Sequence, residues 1–162
     1  MSNVINISTA IKLEGFNFVG SSSRTSNNAE MQGEGVIPTQ WENFYKKQVL
    51  QTIPNKKNSS LIALYTNYDS DENGEYTFGI GAEVIECDVI PEGLVKIDLP
   101  ESSYIIFTSR KGPVQEVVVE AWQEIWEWSK NNKRAFTADF ELYDERALDP
   151  QNSQVDIYIS VN

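Results

Sequence analysis

Apolar residues along this chain follow two periods, and the switch between them marks the elements. Ile11 to Ser22, with Phe16, Phe18 and Val19, reads as a strand. Ser21 to Gly35 is rich in Ser, Asn and Gly and reads as a loop. Pro38 suits a first helical turn, and Trp41, Phe44, Tyr45 and Val49 recur at helical spacing through Gln51 and Thr52. Leu61–Tyr68 and Glu75–Ile85 read as strands joined by a turn over Asp69–Gly74, whose strongest part is Asn73-Gly74.

The same order returns. Leu94–Ser109 is extended, with a break at Pro100, and Gly112-Pro113 leads into a helix from Val114 to about Asn131. Val118, Ala121, Trp122, Ile125 and Ser129 form its stripe, and Trp128 falls off it, towards solvent. Arg134–Asp144 and Val155–Val161 read as strands around a turn at Asp149–Asn152. The expected fold is α+β: a duplicated βαββ unit with pseudo-two-fold symmetry, and an antiparallel sheet with two helices packed against it. Its halves cover about 11–86 and 94–162, with no linker between them, so 1–162 reads as one domain. Tyr68-Asp69 aligns with Tyr143-Asp144, and Phe78–Val84 with Val155–Val161.

Strand alternation sorts the candidate chemistry. Phe136, Ala138, Phe140 and Leu142 form an apolar face, expected under a helix; Thr137, Asp139, Glu141 and Tyr143 form the other. On the last strand, Val155, Ile157, Ile159 and Val161 oppose Asp156, Tyr158 and Ser160. Paired as a hairpin, these strands put Glu141, Tyr143 and Tyr158 on one face. Gly79 and Gly81 fall on the corresponding face of the first half, where missing side chains leave room for a cavity. The plainer reading is a solvated polar face, as one-sided antiparallel sheets normally have. Trp41, Trp122 and Trp126 are candidates to line a pocket, against their ordinary role as helix core.

Composition narrows the function. A net charge of -11 disfavours direct contact with nucleic acid or anionic membranes. With no histidine and the single Cys87, there is no disulfide framework and no Ser-His or Cys-His catalysis. No metal or cofactor motif stands out; the acidic Asp69–Glu75 run does not match a calcium loop. Cys87 reads as a structural thiol, and Lys130–Arg134 as basic residues facing a helix C-terminus. No signal peptide or membrane span is visible, so a cytoplasmic location is expected.

Several segments together resemble the GyrI-like, AraC-type effector-binding family: Ile37-Pro-Thr-Gln-Trp41, Leu64-Tyr-Thr-Asn-Tyr68, Gly74–Gly81, Lys111-Gly-Pro113, Asp139–Tyr143 and Val155–Ile159. Within that family the chain is most similar to the stand-alone, integron-associated proteins. The resemblance implies a duplicated βαββ fold and a pocket between the halves for lipophilic, often cationic, small molecules. It places the pocket's buried glutamate at Glu141. It also implies an alternative, in which Glu141 and Tyr143 or Tyr158 hydrolyse strained electrophilic rings. Binding is the preferred expectation, with no catalytic residue assigned. A gyrase-inhibitor-like protein contact through the acidic surface is a third possibility. Regulatory relatives carry a helix-turn-helix before this domain; residues 1–10 are too few for one, so regulation is expected to pass through a protein partner, unless the chain only sequesters its ligand.

Overall fold

The computed structural model describes residues 4–71 and 73–162. In chain order the elements are β1 (Val4–Ile7), β2 (Ile11–Leu13), β3 (Phe16–Ser26), α1 (Asn27–Met31), α2 (Ile37–Lys46), α3 (Val49–Thr52), β4 (Leu61–Thr66) and β5 (Glu75–Val84). Then follow β6 (Val95–Leu99), β7 (Ser102–Ser109), α4 (Val114–Ser129), β8 (Ala138–Tyr143), a 3-10 turn at Glu145–Ala147 and β9 (Asp156–Val161).

Several boundaries differ from the sequence expectation, each for a local reason. The Ser/Asn-rich segment is not loop throughout. β3 runs on to Ser26, whose Oγ accepts from Ala29 N at 3.1 Å and caps α1. The first helix breaks at Gln48, which takes a left-handed φ of 53°, so α2 and α3 are separate. The strand after α4 begins only at Ala138, because Phe136 has φ 53° and turns the chain. Trp128 is not solvent-facing; its ring meets Phe107 edge-on at 5.3 Å. Glu72 of the Asp69–Gly74 turn lies outside the described residues; around it, Asp69 N donates to Glu75 O at 2.9 Å.

Among the described residues one sheet runs β1-β7-β9-β8-β4-β5-β3-β6, with β2 also on β7, and every pairing is antiparallel. The central part reads the same in both directions: β7-β9-β8 of the second half mirrors β3-β5-β4 of the first. β4 and β8 join the halves. Their register places Ala63 opposite Glu141. Tyr65 lies two residues after Ala63, and Tyr143 two after Glu141, so the pseudo-two-fold axis passes through the Ala63–Glu141 pair. Tyr65, not Tyr68, is therefore the mate of Tyr143. The alignment of Phe78–Val84 with Val155–Val161 agrees with this register, since Ala63 faces Ile80 and Glu141 faces Ile157.

Both faces of the sheet are covered. α2 and α4 lie over the face carrying Ala63, Glu141 and their neighbours, with Phe44, Phe78 and Ile80 packed in one half and Phe107, Ala121, Ile125, Ile157 and Ile159 in the other. The opposite face closes on itself. Phe16 meets Phe140 edge-on at 5.5 Å, and so does Tyr104 from the other wing. The Phe140 face expected beneath a helix is thus buried by the curl of the sheet. The polar Glu141 face is the one the helices cover. Burying a large apolar side chain contributes roughly 1.5–3 kcal/mol, so both wings are held over this face without a helix. No helix among the described residues is long and apolar enough to cross a membrane.

Candidate functional site

Glu141 stands on the pseudo-two-fold axis beneath both helices and is only 2% exposed. Its Oε2 accepts from Tyr65 Oη at 2.8 Å and from Trp122 Nε1 at 2.7 Å, and its Oε1 accepts from Tyr143 Oη at 2.5 Å. The two phenols come from equivalent places in the two halves, so the duplication itself builds the cradle. Trp122 of α4 packs edge-on against Tyr65 at 5.2 Å, and Trp41 of α2 packs edge-on against Tyr143 at 5.5 Å. The tryptophans are mates as well.

A carboxylate taken out of water loses its hydration, and burial pushes the Glu141 carboxyl above its ordinary range; the bonds from Tyr143, Trp122 and Tyr65 pull it back in part. Burial, followed by the charge of Glu141, lifts Tyr65 and Tyr143 well above the usual phenol value, so both remain donors. The described residues give Glu141 neutral donors and no cationic partner.

A second acid lies one pleat away. Asp139 is fully buried and accepts from Arg134 Nη2 at 2.7 Å, from Tyr68 Oη at 2.5 Å and from the Ser160 backbone N–H at 2.8 Å. The Arg134 guanidinium lies over the Phe136 ring at 4.4 Å. Arg134 thus neutralises a buried acid, in place of the helix-terminal role expected for it.

Between α2 and α4, above these groups, a cavity of about 170 Å³ is walled by Tyr65, Tyr68, Tyr76, Trp122, Trp126 and Arg134. Glu30 stands at its rim, accepting from Val36 N at 2.8 Å and so capping the start of α2. Glu141 lies behind Tyr65 and Trp122. Trp126, 38% exposed, sits 6.3 Å from Trp122 at the outer lip.

Of the residues singled out in the sequence, Glu141, Tyr143, Trp41 and Trp122 come together, and Trp126 borders the cavity. Tyr158 does not join them. It pairs with Phe140, not Glu141, and stacks on the Phe140 ring at 4.4 Å on the opposite face. Gly79 and Gly81 are on that opposite face too, because their partners in β4 are Leu64 and Ile62. The room they leave is already filled: a Cβ on Gly79 would lie 3.0 Å from the Phe18 ring, and one on Gly81 would strike the backbone of Val19 and Gly20. The cavity also takes in Tyr65 and Tyr76, which the sequence does not mark, together with Tyr68, aligned above with Tyr143, and Arg134, expected at a helix C-terminus. Tyr65 stands at the same place in its strand as Tyr143 once Ala63 is laid on Glu141, an alignment that only the β4–β8 register supplies.

Comparison with known proteins bears on this arrangement. The model of a family described as integron-associated effector-binding proteins, Cass2, matches residues 10–161. YobU of Bacillus subtilis, named as a candidate transcriptional regulator, is 46% identical over 145 residues, covering 89% of this chain and 91% of its own. The transcriptional regulator BrlR of Pseudomonas aeruginosa is 38% identical over 127 residues, and the match spans 75% of this chain but 44% of BrlR. Among solved structures, an integron cassette protein from the mobile metagenome of Vibrio cholerae superposes with a TM-score of 0.77 at 29% identity, covering 98% and 97% of the two chains. SAV2435, solved with tetraphenylphosphonium bound, shares the fold at a TM-score of 0.76 and 20% identity, over 95% of this chain and 93% of its own.

Proposed function

This chain belongs to the family of integron-associated effector-binding proteins, and we propose that its effectors are lipophilic cations whose charge is read by Glu141. One observation carries the reading: a carboxylate 2% exposed, held by three neutral donors, behind a cavity walled mainly by aromatic rings. An unpaired charge is costly to bury, and a cation supplied from outside offsets that cost. Aromatic faces attract the same cation. Tetraphenylphosphonium, bound by SAV2435, has this chemistry.

The cavity is smaller than the roughly 300–1,000 Å³ of typical ligand pockets, so binding requires side chains to move. Trp122 is the gate: it covers Glu141 and forms the cavity wall at once. When it swings out, Glu141 exchanges one indole donor for a full positive charge. The net charge of -11 disfavours direct contact with nucleic acid, so the ligand's effect is passed on through a protein.

Calorimetry with tetraphenylphosphonium and with neutral triphenylphosphine oxide tests the assignment. Glu141→Gln should weaken binding of the cation by about 2–5 kcal/mol and leave the neutral compound nearly unchanged. Equal losses for the two compounds, or none for either, would refute the role given to Glu141.

A further inference from the structure

The two halves finish their outer sheet edges differently. Outward from the axis, Glu141 leads to Ile157, then Phe107, then Ile7 of β1. Ala63 leads to Ile80, then Ser21, and there the pairing stops. β6 covers β3 only from Phe16 to Gly20. Among the described residues, Ser21–Ser26 therefore have a strand on one side only. Beside that edge runs a groove of about 500 Å³, bounded by α2 and by the turn at Glu92, Gly93 and Leu94.

In the second half the matching space is filled by the chain's own N-terminal strand. Val4 is 5% exposed, packs with Ala121 and Ile125 of α4, and donates its backbone N–H to Glu124 Oε2 at 3.0 Å. Because Trp41 and Trp122 are mates, Gln40, Asn43 and Phe44 stand where Ala121, Glu124 and Ile125 stand. All three line the groove. Gln40 is 7% exposed; its Nε2 donates to Ser21 O and Phe78 O, and its Oε1 is buried with no hydrogen-bond partner among the described residues. A buried acceptor left unpaired is costly, and a ligand donor would relieve it.

We propose that this groove docks an extended segment of a partner polypeptide, which adds as a strand beside Ser21–Ser23 and donates to Gln40 Oε1. An open sheet edge is a template for main-chain pairing, and β1 shows the strand that completes the equivalent edge. Phe44, Val49 and Leu94 give the groove an apolar wall for an aliphatic side chain in the place of Val4. The net charge of -11 favours a segment flanked by lysine or arginine. α2 lies between the two sites, with Trp41 towards Tyr143 and Asn43 towards the groove. The docking proposal stands whether or not Glu141 reads cations.

The probe is a capped peptide with the core Val-Ile-Asn-Ile flanked by lysines, titrated into isotope-labelled full-length chain up to about 1 mM. Saturable shifts are expected at the backbone amides of Ser21–Arg24 and Thr39–Lys47. Asn43→Trp, at an exposed helix position in the groove, should weaken binding by about tenfold or more, while the exposed neighbour Glu42→Trp should not. No saturable shift would overturn the proposal. So would shifts confined to Ser102–Ser109, where the peptide would merely replace β1. Concentration-dependent shifts of Ser21–Arg24 without peptide would assign the edge to a second copy of the chain and overturn it too.

Discussion

Ala63 and Glu141 face each other at the one register position that the pseudo-two-fold maps onto its own partner. The alanine leaves the space into which the glutamate's two phenol donors converge. One comes from the residue two places after Ala63, the other from two places after Glu141. The site is thus a property of the β4–β8 seam more than of either half.

Tyr65→Phe and Tyr143→Phe should act alike, because they remove equivalent donors from one carboxylate. Each should lower stability by about 1.5–3 kcal/mol at neutral pH, the usual worth of a hydrogen bond to a charged group. Denaturant titration of both variants at pH 7 and at pH 4 checks this, with smaller losses at the acidic end. A loss at only one tyrosine would contradict the shared cradle.

The pH dependence of stability should carry the mark of Glu141. Its carboxyl titrates higher folded than unfolded, so the native state holds the proton more tightly. Its contribution to stability is then greatest at low pH and falls as pH rises from the ordinary value of 4.5 through the raised folded value. Glu141→Gln removes that slope. The variant should gain stability relative to the natural protein as pH rises through this window, and chemical denaturation at several pH values measures it.

Arg134→Met should be the most damaging single change near the cavity. It leaves Asp139 buried with only hydroxyl and backbone donors, and breaking a buried pair in this way costs about 3–5 kcal/mol. Thermal unfolding followed by circular dichroism reads the loss. Arg134→Met combined with Asp139→Leu should recover a large part of it, since no charge is then stranded.

Gly81→Ala should destabilise more than Gly79→Ala. At Gly81 the new methyl meets backbone of β3, which cannot turn aside, whereas at Gly79 it meets the Phe18 ring, which can tilt. Overpacking typically costs about 1–3 kcal/mol, with Gly81 at the upper end. Neither change should alter ligand affinity in protein that remains folded, because both glycines lie on the face away from Glu141.

Alternation alone grouped Glu141 with Tyr143 and separated both from Phe140 and Leu142, because the period of a strand is local. What lay over each face was not local. The helices cover the polar side because the wings of the sheet curl over the other, and that curl depends on Phe16 and Tyr104 reaching Phe140 from distant strands. Tyr158 was misplaced by register. β8 and β9 are joined through a 3-10 turn and a further bend, and a shift of one residue in pairing moves every side chain of a strand to the other face. Tyr65 was hidden because β4 is covered on both sides and its apolar run shows no alternation. The Arg134–Asp139 pair was hidden because it depends on the left-handed turn at Phe136.

A single acid on a symmetry axis has a consequence for whatever binds near it. It attracts a positive centre equally from both halves, so by itself it cannot distinguish a guest from the same guest turned through half a revolution. The tie is broken off the axis. Asp139, Arg134 and Tyr68 lie to one side, and Leu61 holds the place opposite to that of Asp139. Compact, near-spherical cations would lose nothing to this ambiguity. Elongated ones would be sorted by which of their ends tolerates the guanidinium.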